Sequence, residues 1–438
     1  MGLLLNNIDL FFHPHLEHLK TIFGKSPLAK NFLVLLSGGF VAQVIPALLS
    51  PILSRLYNPG QFGEFGFWSN LANTLAIVST LRYEMAIVLP KEDEDAQKLL
   101  KGSWMIALLV AIISGLLTYL FIPNLTNAGL TAELVAILTG LYVFLTGINQ
   151  SINYWFIRKK AFRKTSLNKI VQSFSISFFS LLFGFYCIAN GLIFAYALGA
   201  IFLSVFSVWQ AGIGDLKLGQ FEINKEWKEL WKYKEFPIFT ALPALFNGIS
   251  ITIPVFIILH YFDATQSGYY SFVRQVIFVP LAFVTAMIAQ VTFSETSEKI
   301  RNKQSIKRNL IQVVLWLLIP AIVGLVVLNV WGPYWFSILF GEQWRTAGKL
   351  AGMMMVSIGI QAIVSPISPT LTALNKVKIL GLWQLGFCLL TSCLYFFIHL
   401  PFEQFLQLSI LFDSTAYTIY GLLIFWQTMR YENQLRTL

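Results

Sequence analysis

The sequence predicts an all-α integral membrane protein of about twelve transmembrane helices, arranged as two bundles of six. Three observations carry this. The 438-residue chain is 56% hydrophobic and only 12% charged, where ordinary soluble domains carry about 25% charged residues. Apolar stretches of about 20 residues, the length that crosses a hydrocarbon core, follow one another along the chain. Of its 31 Lys and Arg, 26 fall in the two terminal segments and in every second connection between those stretches. Such a composition excludes a soluble globular protein, a disordered chain and a disulfide framework. The runs are also too long for a membrane barrel, whose strands are about 10 alternating residues each.

Taken in order, residues 1–30 form a leader. Its first dozen residues are mildly apolar and follow no basic residue, so they do not make a usual cleavable signal. His13, His15 and His18 beside Glu17 read as a solvated or interfacial cluster rather than a metal site. Helices are expected over 31–55, 62–89, 102–122, 131–157, 170–189 and 192–212, which make an N-terminal bundle, 31–212. A second set over 237–261, 266–293, 310–331, 348–374, 379–400 and 404–427 makes a C-terminal bundle, 237–428, followed by a tail, 429–438. Cytoplasmic loops carry the Lys and Arg excess, so both termini are expected in the cytoplasm and the helix count is even. The net charge of +10 is then a topology signal and an attraction to anionic lipid, not a footprint for nucleic acid.

The linker 213–236 includes FEINKEWKELWKYKEF, in which Ile223, Trp227 and Leu230/Trp231 recur at helical spacing among Lys and Glu. It predicts an amphipathic helix on the membrane surface between the bundles. The bundles themselves are related. At a constant offset of 205, Gln61/Gln266, Gly63/Gly268 and Phe67/Phe272 are identical, and Tyr57/Phe262, Asn58/Asp263 and Phe65/Tyr270 are similar. An even number of helices separates the two segments, which makes the repeat parallel, as in transporters that alternate access.

Charges within hydrocarbon cost about 2.5–3.5 kcal/mol on insertion scales and are functional candidates by default. Arg82 is expected about 10 Å deep from the inner end of the second helix and Arg274 about 12 Å deep from the outer end of the eighth, at 1.5 Å per residue; Arg55 caps the first helix at its outer end. Three guanidiniums at staggered depths suit a phosphate group that must cross, because Arg stays charged and its fork matches phosphate oxygens. Snorkelling of Arg55 and Arg82, or pairing of Arg82 with Glu84, is the alternative. Glu84 and Asp413 are the deep carboxylates, able to exchange a proton or bind Na+ and so to couple transport to a gradient; no other cofactor is expected. Asn70, Asn73, Asn149, Gln150, Asn153, Asn247, Gln275, Gln290 and Gln361 are polar groups for gluing helices or lining a hydrophilic path. Pro46, Pro51, Pro243 and Pro254 stand in the leading helix of each half and are candidate hinges. Cys187, Cys388 and Cys393 lie in apolar runs with no metal spacing. No nucleophile, metal or phosphate-loop motif suggests an enzyme, and the longest outer connection is expected over only 332–347.

The segments SPILSRLYNPGQFGEFG, 50–66, and LRYEMAIVLP, 81–90, with the acidic loop that follows, resemble the Wzx-type polysaccharide flippases of the MOP exporter superfamily. The resemblance is specific over about residues 35–100 and covers Arg55, Arg82 and Glu84. It implies a V-shaped pair of bundles around a cationic cavity, in a bacterial inner membrane. It implies movement of an undecaprenyl-diphosphate-linked oligosaccharide, such as an O-antigen unit, between leaflets, with membrane lipids, a polysaccharide polymerase and a chain-length regulator as partners. Two other readings stay open: a multidrug or cation exporter of the related MATE type, which favours an acidic cavity, and a membrane-embedded glycan-assembly enzyme.

Overall fold

The computed structural model describes residues 27–121, 130–212 and 222–436. The leader with its His cluster, up to residue 26, and the start of the linker, 213–221, lie outside the described residues. Helix α1 (Pro27–Leu56) holds Pro46 and Pro51 in its interior. The chain then turns at Asn58, whose side chain accepts from the Gln61 N–H while Gln61 bonds back to the Asn58 N–H. This capping box, with Pro59 at the first position, starts α2 (Pro59–Ile77).

The second helix is not continuous to residue 89. It stops at Ile77, turns through Leu81 and Arg82 with left-handed backbone (φ 50° and 65°), and resumes as a 3₁₀ segment, Tyr83–Val88. Two left-handed non-glycine residues cost about 1–2 kcal/mol each. Side chains offset the cost: Thr80 donates to Glu84, and the Arg158 guanidinium donates to the carbonyls of Ile87, Pro90 and Lys91 and to Asp93. Arg82 therefore sits in a tight turn rather than two turns deep in a helix.

Helices α3 (Asp93–Phe121), α4 (Ala132–Arg158), α5 (Phe162–Phe185) and α6 (Gly191–Gly212) complete the first half. The linker helix α7 (Ile223–Lys232) docks on α3 by inserting Leu230 against Gly102, where a Cβ would meet the leucine at 2.9 Å. Leu230 thus leaves the expected apolar stripe, while Ile223, Trp227 and Trp231 stay exposed together.

The second half opens with a π turn, Pro237–Ala241, into α8 (Leu242–Tyr261), which has Pro243 in its first turn and Pro254 buried inside. A single rod, Ala264–Arg301, then consists of α9 (Ala264–Val273), a π turn (Arg274–Phe278) and α10 (Val279–Arg301). Helices α11 (Lys307–Phe340), α12 (Arg345–Val364), the short α13 (Pro369–Ala373), α14 (Val377–Ser392) and α15 (Phe402–Arg436) follow. The expected outer connection 332–347 is mostly helical, because α11 continues to Phe340 and only Gly341, at φ 106°, turns the chain. As far as Arg436, the expected tail is likewise part of α15.

Ten helices among the described residues are long and apolar enough to cross a membrane, which makes this a multi-pass membrane protein. Of the long helices, α2 and α5 fall short, for a reason given below.

The two copies of the repeat pack against each other. A Cβ on Gly63 would stand 2.0 Å from the Ala264 carbonyl oxygen, and one on Gly268 would stand 1.8 Å from the Pro59 carbonyl oxygen. Pro59 and Ala264 are themselves related by the offset of 205, so the contact is reciprocal, as a two-fold axis requires. Gly66 faces its own equivalent, Ser271. Around this crossing Phe62, Phe272, Phe340 and Trp344 form one aromatic cluster, with Phe272 stacked on Trp344 at 4.0 Å. Hydrogen bonds seal the same end: Gln343 and the Trp344 indole donate to the Ser54 carbonyl, and the Ser54 hydroxyl donates to that of Phe340.

Candidate substrate-binding cavity

Between the halves lies a cavity of about 770 Å³, within the range of ligand pockets, about 300–1,000 Å³. Its walls come mainly from α1, α2 and α5 of the first half and from the α9–α10 rod of the second, with Leu192 and Tyr196 of α6 and Ile251 of α8 adding to them, and Leu339 and Phe340 border the end sealed by Ser54. Gln43, Ser50, Ser69, Asn70, Asn73, Gln172, Ser173, Ser177, Ser180, Ser271 and Gln275 supply donors and acceptors among Phe62, Phe65, Tyr196, Phe278 and Phe283. This explains why α2 and α5 are the less apolar long helices: their polar stripes face the cavity, not lipid. Pro46 and Pro51 line it through α1, whereas Pro243 and Pro254 stand away from it.

The charged residues of the described lining are two cations, Lys169 from α5 and Arg274 from the rod, one from each half; no carboxylate lines it. Arg274 opens the π turn, where the Val279 N–H reaches back five residues to the Arg274 carbonyl. Pro280, two residues into the next helix, has no N–H to offer. Such π segments are frequent at functional sites. The guanidinium donates to Tyr270 Oη at 3.4 Å and lies over the Phe278 ring at 4.7 Å.

The structure does not gather the three sequence-predicted arginines. Arg55 donates to the carbonyls of Pro51 and Ile338, tying the halves together at the sealed end. Arg82 faces Glu84 at 3.7 Å in the tight turn, beside a fully buried carboxylate. Neither is part of the cavity lining. Asp413, half-buried on α15, is likewise absent from the lining. Asn70, Asn73 and Gln275 line the cavity; Asn149 instead bonds Ser204 and Ser207 within the first half, and Gln361 donates to Tyr417. Lys169 escapes the sequence reading because it closes a basic run, 158–169, that looks like a connection. The spacing Lys169–Gln172–Ser173–Ile176–Ser177–Ser180 is the signal that places it on a helix face.

A family model described as polysaccharide biosynthesis protein matches residues 52–349. The chain belongs to this family. The matched region takes in Arg55, Arg82, Lys169 and Arg274, both copies of the repeat and most of the cavity wall. This family member is 21% identical over 351 residues to the succinoglycan biosynthesis transport protein ExoT of Rhizobium meliloti (strain 1021), covering 76% of this chain and 67% of that protein. Its fold is similar to that of the lipid II flippase MurJ in an inward closed conformation, with a TM-score of 0.69 at 12% identity, covering 90% of this chain and 87% of the other. An inward-facing MATE family multidrug transporter of the MOP superfamily matches with a TM-score of 0.62 at 13% identity, over 91% and 94% of the two chains. The likeness of fold to these two transporters thus runs well beyond residues 35–100, over about nine-tenths of the chain.

Proposed function

We propose that the protein is a flippase that carries a saccharide linked through diphosphate to a polyprenyl lipid across the bacterial inner membrane, by alternating access. The observation that carries this reading is the pair Lys169 and Arg274, set on opposite halves of a polar cavity that has no carboxylate in its described lining. A cationic exporter substrate would meet repulsion there; a diphosphate meets a point charge on one wall and a planar fork on the other. The amide and hydroxyl groups replace water around sugar hydroxyls, while the polyprenyl tail stays in lipid. Transport needs no bond to break. The end sealed by Ser54, Phe340 and Trp344 must part, and the opposite end must close, for the head group to leave on the other side. The Lys and Arg distribution supports placing both termini in the cytoplasm, with the sealed end toward the periplasm.

The test is reconstitution in vesicles with a fluorescent polyprenyl-diphosphate saccharide, following access of an external quencher. We expect the wild type to equilibrate the lipid between leaflets and Arg274→Ala to slow it at least tenfold at equal protein, with Arg274→Lys intermediate. Equal rates for wild type and empty vesicles, or for wild type and Arg274→Ala, overturn the reading.

A further inference from the structure

The polar groups of the cavity divide into committed and free. Asn70 and Asn73 donate to the carbonyls of Gly66 and Ser69, one turn back on α2, and Asn73 also accepts from Tyr142. Ser50 and Ser173 donate to the carbonyls of Ala47 and Ala42. Gln43 on α1, Gln172 on α5 and Gln275 on the rod line the same cavity, yet their side chains make no hydrogen bond among the described residues.

Packing gives the level of these amides. A Cβ on Gly39 would lie 3.1 Å from the Phe283 ring and 3.8 Å from Lys169 Nζ, so α1, α5 and the rod converge there. Phe283 stands nine residues past Arg274, about 13 Å along the rod at 1.5 Å per residue. The ammonium is therefore set well away from the guanidinium, on the side remote from the sealed end. Gln43 is one turn beyond Gly39 and Gln172 one turn beyond Lys169. Both turns lead toward the sealed end, where α1 supplies Ser54 and α5 supplies the Ser180 carbonyl that accepts from Tyr57. The bond from Ser173 to the Ala42 carbonyl holds the two turns level. Gln275 adjoins Arg274. The free amides thus fill the interval between the two cations.

We propose that Gln43, Gln172 and Gln275 form a saccharide subsite, which reads the sugar attached to the diphosphate rather than the diphosphate itself. This rests on the diphosphate reading above. The two tasks need different groups. Lys and Arg only donate, which suits phosphate oxygens; an amide donates from nitrogen and accepts at oxygen, and so matches a hydroxyl that does both. Charge alone does not distinguish a sugar-bearing carrier lipid from the bare one, because both present a diphosphate. Groups built to bond the sugar do distinguish them, since they are left unpaired when it is missing. The committed amides and hydroxyls already have partners, so the discrimination falls to the free ones.

The experiment uses the full chain purified in detergent and two binding probes, farnesyl diphosphate and farnesyl diphosphate carrying one glucose. We expect Gln43→Leu/Gln172→Leu to bind the glucosylated probe about tenfold more weakly, the size of one or two lost hydrogen bonds, and to bind farnesyl diphosphate within twofold of the wild type. Arg274→Ala should weaken both probes alike. If the glutamine variant weakens both probes equally, or neither, the saccharide subsite is wrong while the cavity reading stands. If the wild type binds neither probe, or Arg274→Ala binds both as the wild type does, the cavity reading itself fails. Should the leucine variant not purify as a folded species, Gln43→Met/Gln172→Met, which keeps the side-chain length, carries the same expectations.

Discussion

Gly63 and Gly268, the same position in the two copies of the repeat, press backbone against backbone: a Cβ on Gly63 would lie 2.8 Å from the Gly268 nitrogen. No side chain can swing aside there, because the atoms in the way are main chain on both helices. Substituting either glycine with alanine is expected to destabilise the protein by about 1–3 kcal/mol through overpacking. Gly212→Ala and Gly386→Ala, where an added Cβ meets nothing within 4 Å, should change little. Thermal unfolding of the four variants in one detergent decides it, and equal melting temperatures would refute the tight crossing.

Lys169 should matter to transport as a charge on the cavity wall. Lys169→Gln is expected to slow flipping of the fluorescent lipid by about tenfold and leave thermal unfolding unchanged, and Lys169→Arg should recover most of the rate. If both cations hold one diphosphate, the double variant with Arg274→Ala loses less than the product of the two single losses, since residues acting on one group are not additive.

The sealed end must part once per cycle. Cysteines at positions 54 and 343, in a background with Cys187, Cys388 and Cys393 replaced, are expected to stop transport on oxidation and to restore it on reduction. The Ser54 carbonyl already accepts from Gln343 at 2.6 Å. Full transport by a chain shown to be cross-linked would mean that this end is not a gate.

The linker helix divides its apolar residues between two jobs. Leu230 is buried against α3 while Trp227 is half-exposed on the other side. Leu230→Ala should cost about 2–3 kcal/mol in unfolding, in the range for emptying a buried leucine site. Trp227→Ala should leave unfolding in detergent unchanged, yet weaken the linker's hold on vesicles rich in anionic lipid, read by quenching of Trp231 with brominated lipid.

Much of the architecture is legible in apolar run length, because hydrocarbon thickness dictates it, and the repeat is legible because Gly63 and Gly268 must both be small. What cannot be read from patterning is backbone that leaves the helix without a glycine or proline to mark it. Leu81 and Arg82 turn left-handed just ahead of a segment, Ile87 to Lys91, whose carbonyls are held by Arg158 from some 70 positions further on, so the depth assigned to Arg82 fails. Arg55 has the right helix end, but its acceptor, the Ile338 carbonyl, belongs to the other half. Lys169 shows the converse error: a basic run judged by its density conceals one member that lies two turns inside α5. Arg274 stands out in the sequence because nothing else in its helix is charged near it.

The reciprocity of the Pro59–Gly268 and Ala264–Gly63 contacts says something about ancestry. A face that meets its own copy through a two-fold axis is already a homodimer interface. A six-helix half carrying this motif can bury it against a second copy of itself, so joining two such halves in one chain calls for no new contact surface at this crossing. The charges of the cavity do not share this symmetry: at the offset of 205 the counterpart of Arg274 is Ser69 and that of Lys169 is Leu374.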